Sequence, residues 1–242
     1  MPDIIENHRE IWKRKKILQT VYQQWYAAIL EDLATDRGKT VEMGSGSGNF
    51  AEYYPLAISS DIVWYPWIDV CLDAQELPFC KDSVGNMVLI DVLHHFSNPV
   101  RFMQEALRVL TTGGRIAIIE PYPSPLAYLV YRLFHPEPFN CSEDFFAKVH
   151  PLKKDPWEAN QAAAYLLFFK FYERFCVFFQ DRWMFRRREK IACILYPASG
   201  GFERRALVPD VAIPFLMRLE RWVEPFRDLL AFRCYIVLEK RR

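Results

Sequence analysis

Hydrophobic positions in the first half of the chain switch repeatedly between a helical period and short apolar runs. Residues 8–34 carry apolar side chains at helical spacing, which predicts a long helix. Residues 98–110 form a second amphipathic segment, and the glycine pair at 113–114 indicates where that helix stops. Five apolar runs predict strands, within 40–43, 56–62, 69–74, 83–93 and 115–121.

This alternation of strands and helices predicts an α/β fold, a parallel sheet with helices on both faces. The pattern changes after residue 121, where the proline-rich segment 122–158 is typical of a functional loop or cover. Residues 159–179 predict a mostly buried helix, and 208–230 a helix or a broken helix pair. Strands are predicted within 183–196 and over 231–240.

Composition excludes several classes of protein. With 51% hydrophobic and 25% charged residues, the 242-residue chain is an ordinary globular protein with enough length for a full core. A net charge of +1 argues against a nucleic-acid binder. Residues 1–121 carry 11 Lys and Arg against 16 Asp and Glu, and 122–242 carry 20 against 14. The basic second half fits an anionic substrate, a membrane surface or simple solvation.

The six cysteines show neither a C-x-x-C pair nor ligand spacing with histidine. We therefore expect reduced thiols, no metal site and a cytoplasmic location. The N-terminal residues lack the apolar segment of a signal peptide, and charges interrupt the apolar stretch 165–179, so no transmembrane segment is expected. The aromatic residues of 165–185 fit either the core or a lipid-facing surface.

The strongest motif, E-M-G-S-G-S-G-N at 42–49, follows the first predicted strand. Three of the nine glycines lie within five residues, so the backbone can turn sharply and approach a ligand closely. The helix that follows would direct free N–H groups to the same place. Neither the G-x-G-x-x-G dinucleotide motif nor the G-K-[ST] end of a phosphate loop is present.

The pattern E-x-G-x-G-x-G resembles motif I of the class I S-adenosylmethionine (SAM) dependent methyltransferases. Later elements of that family follow in order. Asp61 ends the second predicted strand, D-A-Q-E-L-P-F occupies 73–79, and D-V-L-H-H at 91–95 ends the fourth. The sequence L-R-V-L-x-x-G-G at 107–114 is similar to the family's helix and turn before strand five.

The resemblance implies a Rossmann-like, seven-stranded, mostly parallel sheet with a C-terminal antiparallel strand and helical or loop cover insertions. It implies one domain, with an N-terminal helix (1–38), a SAM-binding core (39–121), a substrate cover (122–182) and C-terminal strands with inserted helices (183–242). The implied cofactor is SAM, with S-adenosyl-L-homocysteine as product. The implied cofactor-binding residues are Glu42, Gly44, Ser45, Gly46, Gly48, Asn49, Asp61, Ile62, Asp73, Ala74, Asp91 and Val92.

Individual roles follow from the family. Asp61 would accept hydrogen bonds from both ribose hydroxyls, although a helix cap is the alternative. Asp73 would accept from the adenine amino group, and an Asx turn is its alternative. The end of strand four, at Asp91, would lie beside the methionine part of SAM.

The chain lacks the N/D-P-P-Y motif at the end of strand four, so methylation of nucleic-acid bases is not supported. We expect a small-molecule acceptor (a metabolite, glycan or natural product), methylated at O, N or C by a monomer or homodimer. Two alternatives stay open. One is a non-catalytic protein that binds SAM or its product, and the other a lipid or lipid-linked-sugar methyltransferase with weak membrane-surface association.

Candidate catalytic residues are His95, His135 and Glu137. His95 could accept a proton beside the methyl donor, or it could simply pack in the pocket. His135 and Glu137 could form an acid/base pair in a loop stiffened by prolines, or a rigid turn. Tyr122, His135 and Asn160 are the substrate candidates, and a helix cap is the alternative for Asn160.

Overall fold

A computed structural model describes residues 4–134, 139–147 and 159–242. Within them, one seven-stranded sheet has the strand order β3-β2-β1-β4-β5-β7-β6. Strands β1 to β5 pair in parallel, whereas β7 is antiparallel to both β5 and β6. The predicted Rossmann-like α/β class is confirmed. The strands are β1 Thr40–Met43, β2 Ala57–Asp61, β3 Val70–Cys71, β4 Val84–Ile90, β5 Leu110–Pro121, β6 Trp183–Ile191 and β7 Arg233–Lys240.

Helices cover both faces of this sheet. They are α1 Ile4–Arg14, α2 Lys16–Asp32, α3 Asn49–Tyr53, α4 Pro99–Val109, α5 Pro125–Phe134, α6 Ala163–Tyr165, α7 Tyr172–Phe178, α8 Leu195–Ser199, α9 Ile213–Val223 and α10 Arg227–Leu230.

The sheet separates two apolar clusters because neighbouring residues of a strand face opposite sides. Met87 and Leu89 of β4 pack with α4, whereas Val88 between them packs with α2 and α9. The aromatic stretch 165–185 belongs mainly to the first cluster, where Phe168 and Phe175 are fully buried. Most of this stretch is therefore core. Burial of each such side chain stabilises the fold by about 2–3 kcal/mol.

The helix predicted over 8–34 is two helices that meet at Lys15. Lys15 leaves helical geometry, and its ammonium group donates to the carbonyl groups of Gly201 and Arg204. The prediction of the glycine pair as a helix stop is also wrong. Helix α4 ends at Val109 and both glycines belong to β5, where a Cβ on Gly114 would lie 2.7 Å from the carbonyl oxygen of Gly85.

Two other elements differ from the sequence prediction, and a third agrees with it. The helix predicted over 159–179 is interrupted by a π-turn at Leu166–Lys170. Strand β6 ends at Ile191 because Ala192 adopts a left-handed φ of 62°, which strands do not allow. The broken helix pair predicted over 208–230 is confirmed, since a 3-10 turn at Glu224–Phe226 separates α9 from α10.

The three arginines at 186–188 do not form one patch. A β-bulge between Phe185 and Arg187 redirects the strand. Their guanidinium groups reach Glu239, Asp32 and the ring of Tyr172, respectively.

Candidate functional site

A cleft of about 1300 Å³ opens at the carboxyl ends of β1, β2, β4 and β5. This edge of an open parallel sheet is where α/β proteins bind ligands. The first residues of α1 cover part of the cleft, since Ile5 and His8 line it. Arg9 holds α1 in place by donating to the Ser47 carbonyl and by lying 4.6 Å from the ring centroid of Trp67.

The turn between β1 and α3 depends on its three glycines. Gly44, Gly46 and Gly48 have φ angles of 65°, 48° and 76°, which other residues adopt at a cost. A Cβ on Gly44 would lie 2.1 Å from Cγ2 of Val92, and one on Gly48 would lie 2.8 Å from Cδ1 of Trp67. The sharp turn predicted from the glycines is present, and Val92 and Trp67 pack closely against it.

Ser45 and Asp61 fix this turn to the end of β2. The Ser45 N–H donates to the Ser60 carbonyl (2.9 Å), and its hydroxyl accepts from the Ser60 N–H (3.1 Å). The Asp61 carboxylate accepts from the N–H groups of Gly46 (2.9 Å) and Val63 (3.0 Å) while it lines the cleft. Asp61 therefore positions the glycine turn and presents a carboxylate to a ligand.

Glu42 and Asn49 are buried polar residues at the floor of the cleft. Glu42 Oε2 and Asn49 Oδ1 have no hydrogen-bond partner among the described residues, which is unusual for buried oxygens. Burial raises the pKa of Glu42 to about 8, with a further upward contribution from Asp61, although a hydrogen bond with Ser45 lowers it. Two unsatisfied buried oxygens at this place fit a ligand that forms hydrogen bonds with them.

The raised pKa of Glu42 predicts a pH-dependent stability of the ligand-free protein. The unfolded carboxyl loses its proton near pH 4.5 and the folded one near pH 8, so stability falls as pH rises between these values. Glu42→Gln should remove a slope of about 1.4 kcal/mol per pH unit from the free energy of unfolding in that window. Urea denaturation at pH 5.5 and 8 measures this, with exposed Glu31→Gln as the control. An unchanged slope in Glu42→Gln would contradict the assignment.

Three further predicted cofactor residues also line the cleft, namely Ile62, Asp73 and Ala74. Asp73 Oδ1 accepts from the Gln75 N–H (2.8 Å), so the Asx turn considered from the sequence is present. The Asp73 side chain is nevertheless exposed in the cleft. Its predicted contact with a ligand stays compatible with the turn.

Asp91, at the end of β4, belongs to a network that sequence analysis missed. It adopts a left-handed φ of 54°, accepts from the Tyr22 hydroxyl (2.9 Å) and pairs with Nε of Arg233 (3.0 Å). Arg233 is buried and also donates to the hydroxyl groups of Tyr131 and Tyr196. The one available signal was an arginine at the start of the otherwise apolar strand β7.

Glu120 is the second residue that sequence analysis missed. It is fully buried at the end of β5 and accepts from the N–H groups of Val92 (2.7 Å) and Leu93 (2.6 Å). Its second oxygen lies 2.6 Å from Nδ1 of His94. Burial raises the pKa of Glu120 to about 7, although the backbone donors lower it. An acid after the apolar run at 116–119 was the available signal.

The predicted catalytic and substrate residues differ in their position relative to the cleft. His95 is half-buried, lines the cleft and packs against His94, with ring centroids 4.3 Å apart and the rings tilted by 38°. His135 and Glu137 lie outside the described residues. Tyr122 does not line the cleft, because its ring packs against Tyr165 and Phe169. The structure therefore does not support Tyr122 as a substrate residue.

Asn160 lines the cleft, and its side chain also binds backbone groups of two neighbouring segments. Its Oδ1 accepts from the N–H groups of Ala162 (3.0 Å) and Asn140 (3.0 Å), and its amide donates to Glu143 (2.5 Å). Asn160 thereby holds the segment 139–147 against the cleft. The helix cap considered from the sequence is wrong, because the N-cap residue of α6 is Ala162 and the Asn160 side chain closes the turn before it.

The cleft is strongly acidic. Among the described residues that line it, the one arginine, Arg233, is paired with Asp91. This charge distribution favours a ligand that carries positive charge. The lining acidic residues are Asp61, Asp73, Asp91, Glu143, Glu203 and Glu42, of which Glu42 carries little negative charge at neutral pH because of its raised pKa.

The described residues contain neither a cluster of metal ligands nor a helix that could cross a membrane. They contain no cluster of three or more His, Cys, Asp or Glu side chains that could hold a metal ion. No helix among them has the length and apolar character needed to cross a membrane.

Comparisons with known sequences point to one family. A family model described as a methyltransferase domain matches residues 41–118, about a third of the chain. An uncharacterized protein of Methanocaldococcus jannaschii is 29% identical over 108 residues, which are 41% of this chain and 52% of that protein. The chain thus spans about half the length of this curated relative.

Solved structures share the fold at low identity. A SAM-dependent methyltransferase of Archaeoglobus fulgidus has a TM-score of 0.57 at 12% identity, covering 95% of this chain and 98% of its own. Geranyl diphosphate C-methyltransferase of Streptomyces coelicolor has 0.51 at 14%, with coverage of 92% and 80%. The 4+2 cyclase SpnF has 0.51 at 15%, with coverage of 90% and 80%. Residues 41–118 therefore match a methyltransferase domain, and the chain shares its overall fold with these solved structures.

Proposed function

We propose that this protein binds SAM in the cleft and transfers its methyl group to an oxygen, nitrogen or carbon atom of a small-molecule acceptor. The glycine turn held by Asp61 above two unsatisfied buried oxygens is the observation that carries the proposal. The acidic lining supports it further, because SAM carries a sulfonium and an ammonium group. The cleft also has ample volume for a cofactor and an acceptor together.

Each part of the cleft would have its own task. Asp61 would accept hydrogen bonds from the ribose hydroxyls and Asp73 from the adenine amino group. The glycine turn would bring backbone N–H groups close to the cofactor. SAM supplies a methyl group on a positively charged sulfur, so the protein mainly has to hold an acceptor in line and exclude water.

His94, rather than His95, is the better candidate for a general base. Glu120 lies 2.6 Å from its Nδ1 and would hold that nitrogen protonated, which leaves Nε2 as the basic atom. His94 lines the cleft although its exposed fraction is only 4%. Such a pair suits an O- or N-acceptor that must lose a proton, whereas His95 would contact the bound molecules.

A non-catalytic binding protein is the second candidate. SpnF shares the fold and is a cyclase, so this fold does not by itself imply methyl transfer. The buried Glu120–His94 pair argues for catalysis, since burying two such groups is costly without a purpose.

Calorimetric titration with SAM and S-adenosylhomocysteine tests the proposal. We expect saturable one-to-one binding of both compounds. Once an acceptor is found, His94→Gln should lower kcat by about 100-fold or more without changing SAM affinity, and His95→Gln should lower it less. Absence of binding by wild-type protein would refute the proposal, and binding without transfer to any acceptor would favour the second candidate.

A further inference from the structure

Two neighbouring segments outside the cleft expose most of the large apolar side chains found at the surface of the described residues. Nineteen large hydrophobic residues are exposed, and eleven of them lie in these two segments. The first segment is α5, with Leu126, Tyr128, Leu129, Leu133 and Phe134. The second runs through α9 and α10, with Leu207, Val211, Phe215, Trp222, Phe226 and Leu229. We call these eleven residues the apolar face.

Helix α9 is apolar on two opposite sides. Ile213 and Leu216 point into the core, whereas Phe215 and Trp222 are 64% and 80% exposed. Phe215 and Trp222 are seven residues apart, so they lie two turns apart on one side of the helix. An ordinary surface helix carries polar residues on that side. The outer side of α9 therefore looks like a binding surface.

Helix α5 repeats this arrangement. Ala127 and Tyr131 face inward against Phe232, and Leu126, Leu129 and Leu133 form an exposed stripe at helical spacing. The two segments are in contact, since Arg204 donates to the Phe134 carbonyl (2.7 Å) and lies 5.3 Å from its ring centroid.

Exposed arginines accompany the apolar side chains. Arg132, Arg205, Arg218 and Arg221 form no ion pair with any described acidic residue. Arg218 lies between Phe215 and Trp222 along α9, and Arg132 precedes Leu133 in α5. The same surface thus offers apolar side chains and unpaired positive charge.

We propose that the apolar face binds the surface of an anionic lipid bilayer. Trp, Phe and Leu side chains would enter the boundary between headgroups and acyl chains, and the arginines would contact lipid phosphates. A self-association interface would bury the apolar side chains, but it would also bring the unpaired arginines of two copies together. An anionic bilayer complements both features.

The apolar face also borders the cleft. Pro121, shortly before α5, lines the cleft, as do Phe202 and Glu203 just before Arg204. A protein bound through this face would hold the cleft near the lipid headgroups. The binding itself does not depend on methyl transfer, so it can be tested whether or not the proposed function holds.

Co-sedimentation with vesicles tests the proposal. We expect the protein to sediment at low salt with phosphatidylserine/phosphatidylcholine vesicles and far less with phosphatidylcholine alone. Phe215→Ser/Trp222→Ser should weaken vesicle binding by at least about tenfold. Arg218→Gln/Arg221→Gln should weaken it specifically for anionic vesicles. Val177→Ser, at an equally exposed valine outside the apolar face, is the matched control and should bind like wild type.

Three outcomes would overturn the proposal. One is no binding to anionic vesicles at low salt. Another is a Phe215→Ser/Trp222→Ser variant that binds as well as wild type. The third is a concentration-dependent dimer in light scattering that this variant abolishes, which would assign the face to a second copy. Thermal unfolding of every variant verifies that the fold is retained.

Discussion

Asp61→Ala should weaken SAM binding by about 100-fold. Removing the carboxylate would remove the proposed hydrogen bonds from the ribose hydroxyls. It would also leave the Gly46 N–H without the acceptor that now lies 2.9 Å away. Hydrogen bonds to a charged group contribute about 1.5–3 kcal/mol each, and 100-fold corresponds to about 2.7 kcal/mol. Isothermal titration of the purified variant with SAM measures the change.

Two further variants separate cofactor binding from general destabilisation. Gly46→Val keeps the charge of Asp61 but places a β-branched residue at a φ of 48°, so it should distort the turn and also reduce affinity strongly. Asp82→Ala removes the ion pair with Lys240 at the far end of the sheet and should leave SAM affinity unchanged. If both Asp61→Ala and Gly46→Val bind SAM like wild type, the cofactor site has been assigned wrongly.

Arg233→Leu should lower the free energy of unfolding by roughly 3–5 kcal/mol. Arg233 is 4% exposed, and its loss leaves Asp91 without its counter-charge and two tyrosine hydroxyls without their donor. The uncompensated charge of the half-buried Asp91, more than the loss of the attraction itself, dominates the effect. Urea denaturation monitored by circular dichroism gives the free energy directly.

A double-mutant cycle identifies the source of this loss. Asp91→Asn keeps a residue that tolerates the left-handed φ and removes the charge. The double variant should therefore be more stable than the sum of the two single losses predicts. Arg186→Leu, which breaks an exposed pair with Glu239, should cost less than about 1 kcal/mol. A similar small loss in Arg233→Leu would show that Asp91 is stable without its partner.

The surface proposed for membrane binding does not include the residues that the sequence suggested for it. The aromatic composition of 165–185 is compatible with a lipid-facing surface, yet Phe168, Phe175 and Trp183 are core residues. The exposed apolar side chains are in α5 and α9 instead. A periodic apolar pattern shows that a helix has an apolar side, but not whether the protein or another surface covers that side.

The sequence by itself determined the alternation of strands and helices, the glycine turn and the acid that ends β2. These are local features, since consecutive residues are enough to predict a strand, a tight turn and the residue that ends a strand. Glu42, Gly44 and Asp61 could be named because parallel strands bring their carboxyl ends to one edge of the sheet.

The tertiary structure alone decided which groups meet across long stretches of chain. Asp91 pairs with Arg233, Glu120 with His94, and Lys15 ends α1 by reaching carbonyl groups near residue 200. The sequence around each residue does not predict such a pair, because the same residue could equally be a solvated charge at the surface. Burial turns them into coupled groups and raises the pKa of Glu120, and burial is a property of the packed fold rather than of any segment.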